Sequence, residues 1–254
     1  MTGDALPAPW RLIALETVGS TNDEAKRLIA EGRAADFVVV SAREQSAGRG
    51  RRGRAWLGGA GNLYCSFILA VGADFQAAAQ AGFVAAVALV DALRGLVPQA
   101  AIGGKWPNDV LAGGAKLAGM LLEPAGAGWL VLGVGVNVAW APPAHLVERP
   151  ATSLAVLGYD GDPGKVLAAF CAAFAPWMER WRGEGFPPVR RAWLDRALGL
   201  SGPVDVRLAN ETLSGTFAGI DGDGALILDM AGGEVRRILA GDVFLPPAVF
   251  RHED

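Results

Sequence analysis

Apolar positions in the first part of the chain fall into short runs, each bounded by glycine, proline or polar clusters. Runs at 11–16, 37–41, 62–71, 101–106, 116–123 and 129–138 have the length and texture of strands. Gly113-Gly114 stands between two of them as a hairpin tip. Three stretches carry helical texture instead. Thr21 and Glu24 have capping-box spacing for a helix ending near Gly32. The alanine-rich run 75–97 is a second helix. Asp162-Pro163, a cap followed by proline in the first turn, opens a third that continues to about Arg182. A shorter helix is predicted at 188–198, and 139–161 is loop-rich. Short strands joined by glycine turns, with helices inserted early, predict a mixed α/β (α+β) sheet with flanking helices.

Beyond Gly202 the texture changes to strands at 204–208, 213–220, 225–229 and 234–239, split by polar turns. Such a set predicts a small C-terminal β-barrel that leans on the main domain. Residues 1–200 and 201–254 are the expected domains. Asp221-Gly-Asp-Gly lacks the further ligands of a calcium loop and reads as a hairpin turn.

Composition removes several function classes. With 254 residues, 52% hydrophobic and 19% charged, the chain is globular rather than disordered. A net charge of −3 disfavours non-specific nucleic-acid binding and makes any basic cluster a local feature. Cys65 and Cys171 lie in apolar segments, as buried thiols of a cytoplasmic protein do. Neither His145 nor His252 is near a cysteine, so no metal site is expected. Run 75–97 is interrupted by Gln76, Gln80, Asp91 and Arg94 and reads as a core helix, not a membrane span. Residues 1–11 have no secretory pattern.

One stretch departs sharply from this acidic background. In Gln45-Ser-Ala-Gly48-Arg-Gly-Arg-Arg-Gly-Arg54-Ala-Trp56, four arginines alternate with glycines. Guanidinium forks suit carboxylate and phosphate oxygens, and glycine lets backbone approach a ligand. No acidic residue follows until Asp74, so mutual repulsion predicts a loop that orders only around an anion. Lysine is scarce, four against nineteen arginines, yet Lys105 and Lys116 both fall in the glycine-rich turn region. Lys105 could equally snorkel at the surface. Ser20-Thr21-Asn22 stands at a helix start, where it could serve a ligand or simply cap. Together these groups imply a site for a nucleoside triphosphate or an adenylate. There is no P-loop, Gly133-Val-Gly135 ends a strand without opening a helix, and no Ser/His/Asp set exists for nucleophilic hydrolysis.

The ordered series Ser20-Thr-Asn22, Gln45 with Gly48-Arg-Gly-Arg-Arg-Gly-Arg54 and Trp56, Lys105-Trp-Pro-Asn-Asp109, Lys116-Leu-Ala-Gly119 and Gly133-x-Gly135-x-Asn137 resembles the biotin–protein ligases. Too few residues precede Ser20 for the DNA-binding domain that some members carry, so the resemblance is to the monofunctional type. It implies a class II aminoacyl-tRNA-synthetase-like catalytic domain and an SH3-like C-terminal barrel. The implied reaction joins biotin to ATP, with Mg²⁺ present, as biotinyl-5′-AMP. Biotin then passes to a lysine of a biotin carboxyl carrier protein. Arg51 and Lys116 would lie at the carboxylate–phosphate junction. Ser20, Thr21, Asn22 and Gln45 would hold biotin, with Arg49 and Gly50 lining its pocket. Trp56 and Asn137 would meet adenine and Arg54 the phosphates. Asn108 and Asp109 would sit at the reaction centre, Asp109 either holding Mg²⁺ or orienting the amine. Gly48, Lys105, Gly119, Gly133 and Gly135 complete the implied binding set. Nucleic acid and membrane are not expected partners, and a homodimer stays open. A lipoate–protein ligase is the nearest rival; a nucleic-acid arm built on the arginine loop is a rival of another class.

Overall fold

The computed structural model describes residues 6–72, 75–126 and 128–246; the side chains at 75–78, Gln76 included, and His252 lie outside the described residues. Seven strands form the organising sheet: β1 (Arg11–Val18), β2 (Val38–Gln45), β3 (Leu63–Ala70), β4 (Ile102–Lys105), β5 (Asp109–Ala112), β6 (Ala115–Pro124) and β7 (Trp129–Val136). Their order is β1-β2-β3-β7-β6-β5-β4. β1 and β2 are parallel, joined through α1 (Thr21–Ala30), and the remaining neighbours are antiparallel. The predicted mixed sheet is therefore what forms. β2 runs further than its apolar stretch, because pairing with β1 continues through Glu44 and Gln45. That extension delivers Gln45 to the arginine loop.

Both faces of the central strands are covered, which is why they read as unbroken apolar runs. Val38, Val40, Ile68 and Val131 pack with Ala25 and Leu28 of α1. Val39, Phe67, Leu69 and Leu132 face the larger core beneath α2 (Phe75–Leu96) and α3 (Pro163–Glu184). From Ala81 to Val90 every side chain of α2 is buried. This is the expected core helix, although Ala79–Leu96 is long and apolar enough to pass for a span. Asp162 caps α3 as predicted, accepting from the amides of Gly164 (2.7 Å) and Lys165 (3.1 Å). Gly113 and Gly114, at φ 54° and 85°, form the predicted hairpin tip between β5 and β6.

The C-terminal strands are β8 (Pro203–Arg207), β9 (Thr212–Ile220), β10 (Leu226–Met230), β11 (Val235–Ile238) and β12 (Asp242–Phe244). They form an antiparallel sheet in the order β11-β10-β9-β8-β12. Among the described residues no ladder joins β11 to β12. Asp221 builds the expected turn, its Oδ1 accepting from the amides of Asp223 and Ala225 at 2.9 Å. The unit does lean on the main sheet. Trp106, in the β4–β5 turn, donates its indole N–H to the Gly224 carbonyl at 3.0 Å. Trp193 of α4 (Phe186–Leu194) packs edge-on against Phe217.

Candidate active site

A cavity of about 450 Å³ opens where the ends of β2, β4, β6 and β7 meet the C-terminal sheet. Its wall contains Ser20, Thr21 and Asn22 from the start of α1, and Gln45 at the end of β2. Arg49, Gly50, Arg51, Arg54 and Trp56 come from the arginine loop, and Lys105, Asn108 and Asp109 from the β4–β5 turn. Lys116, Gly119, Gly133, Gly135 and Asn137 come from β6, β7 and the residue that follows. Of the expected set only Gly48 is not in the wall. A Cβ there would lie 3.2 Å from Gln45 Nε2 and 3.3 Å from the Trp56 carbonyl, so the glycine lets the loop fold closely behind the cavity.

One end is neutral and rich in hydrogen-bonding groups. Ser20 precedes α1 but makes no side-chain cap, and Thr21 does not form the predicted capping box. Instead the amide (2.8 Å) and hydroxyl (3.1 Å) of Thr21 both donate to Gln45 Oε1. The capping box loses because the half-buried Gln45 side chain on β2 takes the Thr21 amide that Glu24 would have accepted from and turns the Thr21 hydroxyl into a donor. Asn22 is held at both ends of its amide. Ser66 donates to its Oδ1 at 2.5 Å, and its Nδ2 donates to Glu123 at 2.7 Å. Lys26 pairs with that carboxylate at 2.7 Å. Gly133 leaves room for this: a Cβ would stand 2.3 Å from Asn22 Oδ1.

The other end is cationic. Lys105 and Asp109 face each other across the β4–β5 pair. A β-bulge after Val110 puts Lys116 and Gly119 on one face of β6, though they are three residues apart. The result brings both ammonium groups onto one carboxylate, Lys105 at 3.1 Å and Lys116 at 2.6 Å. Lys105 is only 5% exposed, so it is not a snorkelling residue. Burial pushes its ammonium down to about 8, against the pull of Asp109. Burial works to raise Asp109, but the two lysines outweigh it and hold the carboxyl well below the usual range. Each oxygen of Asp109 is thus taken by an ammonium. No cluster of three metal-ligating side chains occurs among the described residues. The donor set does not fit a magnesium ion held by the protein.

The arginine loop closes on itself, with Trp56 N–H donating to the Gly48 carbonyl (2.9 Å) and Gly50 N–H to that of Arg54 (2.7 Å). Its charges are not left to repel one another, contrary to the expectation from local sequence. Asp23 on α1 pairs with Arg49 at 2.5 Å. Asp242 on β12 takes Arg54 at 3.1 Å and Arg52 at 3.5 Å, and Glu148 lies 3.8 Å from Arg54. Arg51 donates to Asn108 Oδ1 at 3.1 Å.

The floor is backbone. Cβ atoms at Gly135 and Gly119 would lie 2.6 Å and 2.9 Å from the Trp56 ring, so these glycines seat the indole. Lys116 Nζ stands 5.3 Å from the same ring. Asn137 donates to the carbonyls of Thr152 (3.0 Å) and Lys116 (3.3 Å). Three buried polar atoms in this wall have no protein partner: Trp56 Nε1, Asn137 Oδ1 and Arg149 Nη2. Native interiors rarely leave such groups unmatched, and a polar ligand would satisfy them. Ser66, Glu123, Glu148, Arg149 and Asp242 were not singled out in the sequence. They belong to no motif, and each reaches the site through tertiary contacts alone.

The profile of the biotin/lipoate A/B protein ligase family matches residues 15–137, and that of the biotin protein ligase C-terminal domain matches 203–245. The chain belongs to this ligase family. Within it, the similarity runs to the biotin branch. The chain is 46% identical over 241 residues to the biotin–[acetyl-CoA-carboxylase] ligase of Paracoccus denitrificans, covering 91% of this chain and 98% of that one. Identity is 37% with the Mycobacterium tuberculosis protein of the same name, over 92% of this chain and 89% of the relative. Among solved structures, biotin protein ligase from Aquifex aeolicus in complex with biotin and ATP superimposes with a TM-score of 0.79 at 27% identity, covering 92% and 97% of the two chains.

Proposed function

We propose that this chain is a biotin–[acetyl-CoA-carboxylase] ligase: it joins biotin to ATP as biotinyl-5′-AMP and passes biotin to a lysine of a carboxyl carrier domain. The observation that carries this is one cavity whose wall joins a neutral hydrogen-bonding end, a cluster of cations and an aromatic seat. That suits a ligand whose polar ring is uncharged, whose carboxylate must meet a phosphate, and whose partner ends in a purine.

Thr21, Asn22 and Gln45, with Ser20, Arg49 and Gly50 beside them, hold the ureido ring. Arg51 and Lys116 stand at the junction where two anions must approach; fixed cations lower that repulsion without reorganising during the step. Asp109, ionised and gripped by two lysines, sets the position of Lys116. Magnesium in this reading comes with the nucleotide, and no step is assigned to a protein-held metal. Trp56 and Asn137 offer their unmatched donor and acceptor to adenine. In the second half-reaction the carrier lysine attacks the acyl carbon and AMP leaves. The loop at 45–56 shields the mixed anhydride from water in the interval.

The same reading takes residues 1–200 as a class II aminoacyl-tRNA-synthetase-like catalytic domain and 201–254 as an SH3-like barrel, in a cytoplasmic protein. The two separate sheets and the two family matches support the division of the chain into these units. Incubation with ATP-Mg²⁺, a carrier domain, and either biotin or lipoate tests the function. Biotinyl transfer on an avidin blot is expected; lipoyl transfer without biotinyl transfer would overturn it in favour of a lipoate ligase.

A further inference from the structure

Most positive charge around the cavity is already matched. Arg49, Arg52 and Arg54 pair with Asp23, Asp242 and Glu148, and Lys105 and Lys116 share Asp109. Among the described residues, two guanidiniums in the wall have no carboxylate within ion-pair distance, Arg51 and Arg149. Arg51 at least donates to Asn108. Arg149 is half-buried and its Nη2 is enclosed without a partner.

Its position is not left to chance. Lys116 N–H donates to the Pro150 carbonyl at 2.8 Å and the Lys116 carbonyl accepts from Thr152 N–H at 2.9 Å, so 150–152 is strapped to β6 beside the reaction centre. The Arg149 guanidinium lies over the Phe244 ring, 3.9 Å from its centroid. Stacking on Phe244 explains where the group rests. It does not explain a buried donor with nothing to donate to, since enclosing an unpaired cation is costly unless an anion completes it. Arg54, which the motif pattern would put on the phosphates, already has two carboxylates competing for it.

We propose that Arg149 binds the β- and γ-phosphates of ATP, and hence the departing pyrophosphate, while Arg51 serves the reacting α-phosphate. This rests on the ligase reading above. It makes a residue outside every motif, stacked on the C-terminal sheet, part of the nucleotide site. Arg54 then mainly ties the loop to Asp242.

The test compares the parent chain with Arg149→Met, which keeps an apolar stem over Phe244, and Arg149→Lys, which restores charge. Titration with α,β-methylene-ATP should show affinity weakened roughly tenfold or more in Arg149→Met and partly restored in Arg149→Lys, the scale of one lost charge-assisted contact. The KM for pyrophosphate in the reverse reaction should rise in parallel. Biotin binding and transfer from preformed biotinyl-5′-AMP should stay within about twofold, because neither involves the outer phosphates. Unchanged nucleotide affinity in Arg149→Met overturns the proposal. So does an equal loss in transfer from the preformed adenylate, which would mark Arg149 as a support of the wall. Nucleotide binding that depends on Arg149 in a parent chain lacking biotin-dependent pyrophosphate exchange would keep the phosphate site and sink the ligase reading instead.

Discussion

Substituting Gly133→Ala probes the neutral end of the cavity with a single methyl group. The new Cβ would lie 2.3 Å from Asn22 Oδ1, 3.0 Å from its Cγ and 3.1 Å from its Nδ2. Ordinary contact requires the Asn22 amide to retreat by about 1 Å, a distance set by van der Waals radii. Asn22 cannot give way cheaply: it is 4% exposed and held by Ser66 at 2.5 Å and by Glu123 at 2.7 Å. A shift of that size lengthens both bonds beyond useful range. One is neutral and one is to a charged group, and together their loss is worth about 2–4 kcal/mol. Biotin meets Asn22 in its native position, so restoring that position on binding draws on the binding energy; at the lower figure, which partial re-bonding elsewhere favours, affinity should weaken by roughly thirtyfold. Isothermal titration with biotin measures this, with the KM for ATP as the internal control because the nearest atoms the new methyl meets are all of Asn22 and none is of Arg51, Lys105 or Lys116. A biotin Kd within about twofold of the parent would refute the account of Gly133 as space reserved for Asn22.

Other residues yield sharper tests of the cationic end. Asp109→Asn strands Lys105, which is 5% exposed, without its acidic partner. Breaking a buried pair costs about 3–5 kcal/mol, so a thermal melt should show Tm lowered by several degrees, and a shift under about 2 °C would contradict it. Because burial pushes Lys105 down to about 8, adenylation should fall as pH rises through that value, and Lys105→Arg should lack this limb. Stability runs the other way. Between about 8 and the unfolded value near 10.5 the unfolded chain holds more protons, so stability rises with pH there, which denaturation at a series of pH values can check. Lys116→Ala should suppress adenylation much more than biotin binding, since its charge matters most when two anions meet; equal losses measured by pyrophosphate release and titration would remove that role.

Much of the fold is legible in local patterns because strands covered on both faces advertise themselves as apolar runs. Residues 62–71 and 129–138 are examples, and β3 and β7 lie at the centre of the sheet. The Asp162-Pro163 helix start was equally plain, since a cap and its amides are neighbours in sequence. The Thr21 capping box was not, because Gln45 lies twenty-four residues away and outcompetes the cap. The same logic explains the arginine loop. Judged from its own neighbourhood it is a knot of repelling charges, yet Asp23, Glu148 and Asp242 meet it from three other parts of the chain.

By itself, then, the sequence determined the family, the kinds of chemistry on offer and almost the whole motif set in the cavity wall, because those residues are clustered in short, ordered segments. Tertiary structure alone decided how charge is distributed among them. It neutralised Arg54, saturated Asp109 with two ammonium groups, and left Arg149 unpaired. The reason is physical: a hydrogen-bond cap or a hydrophobic period is a short-range property of the chain. Ion pairing at a cavity depends on which distant segments the packed core brings within a few ångströms.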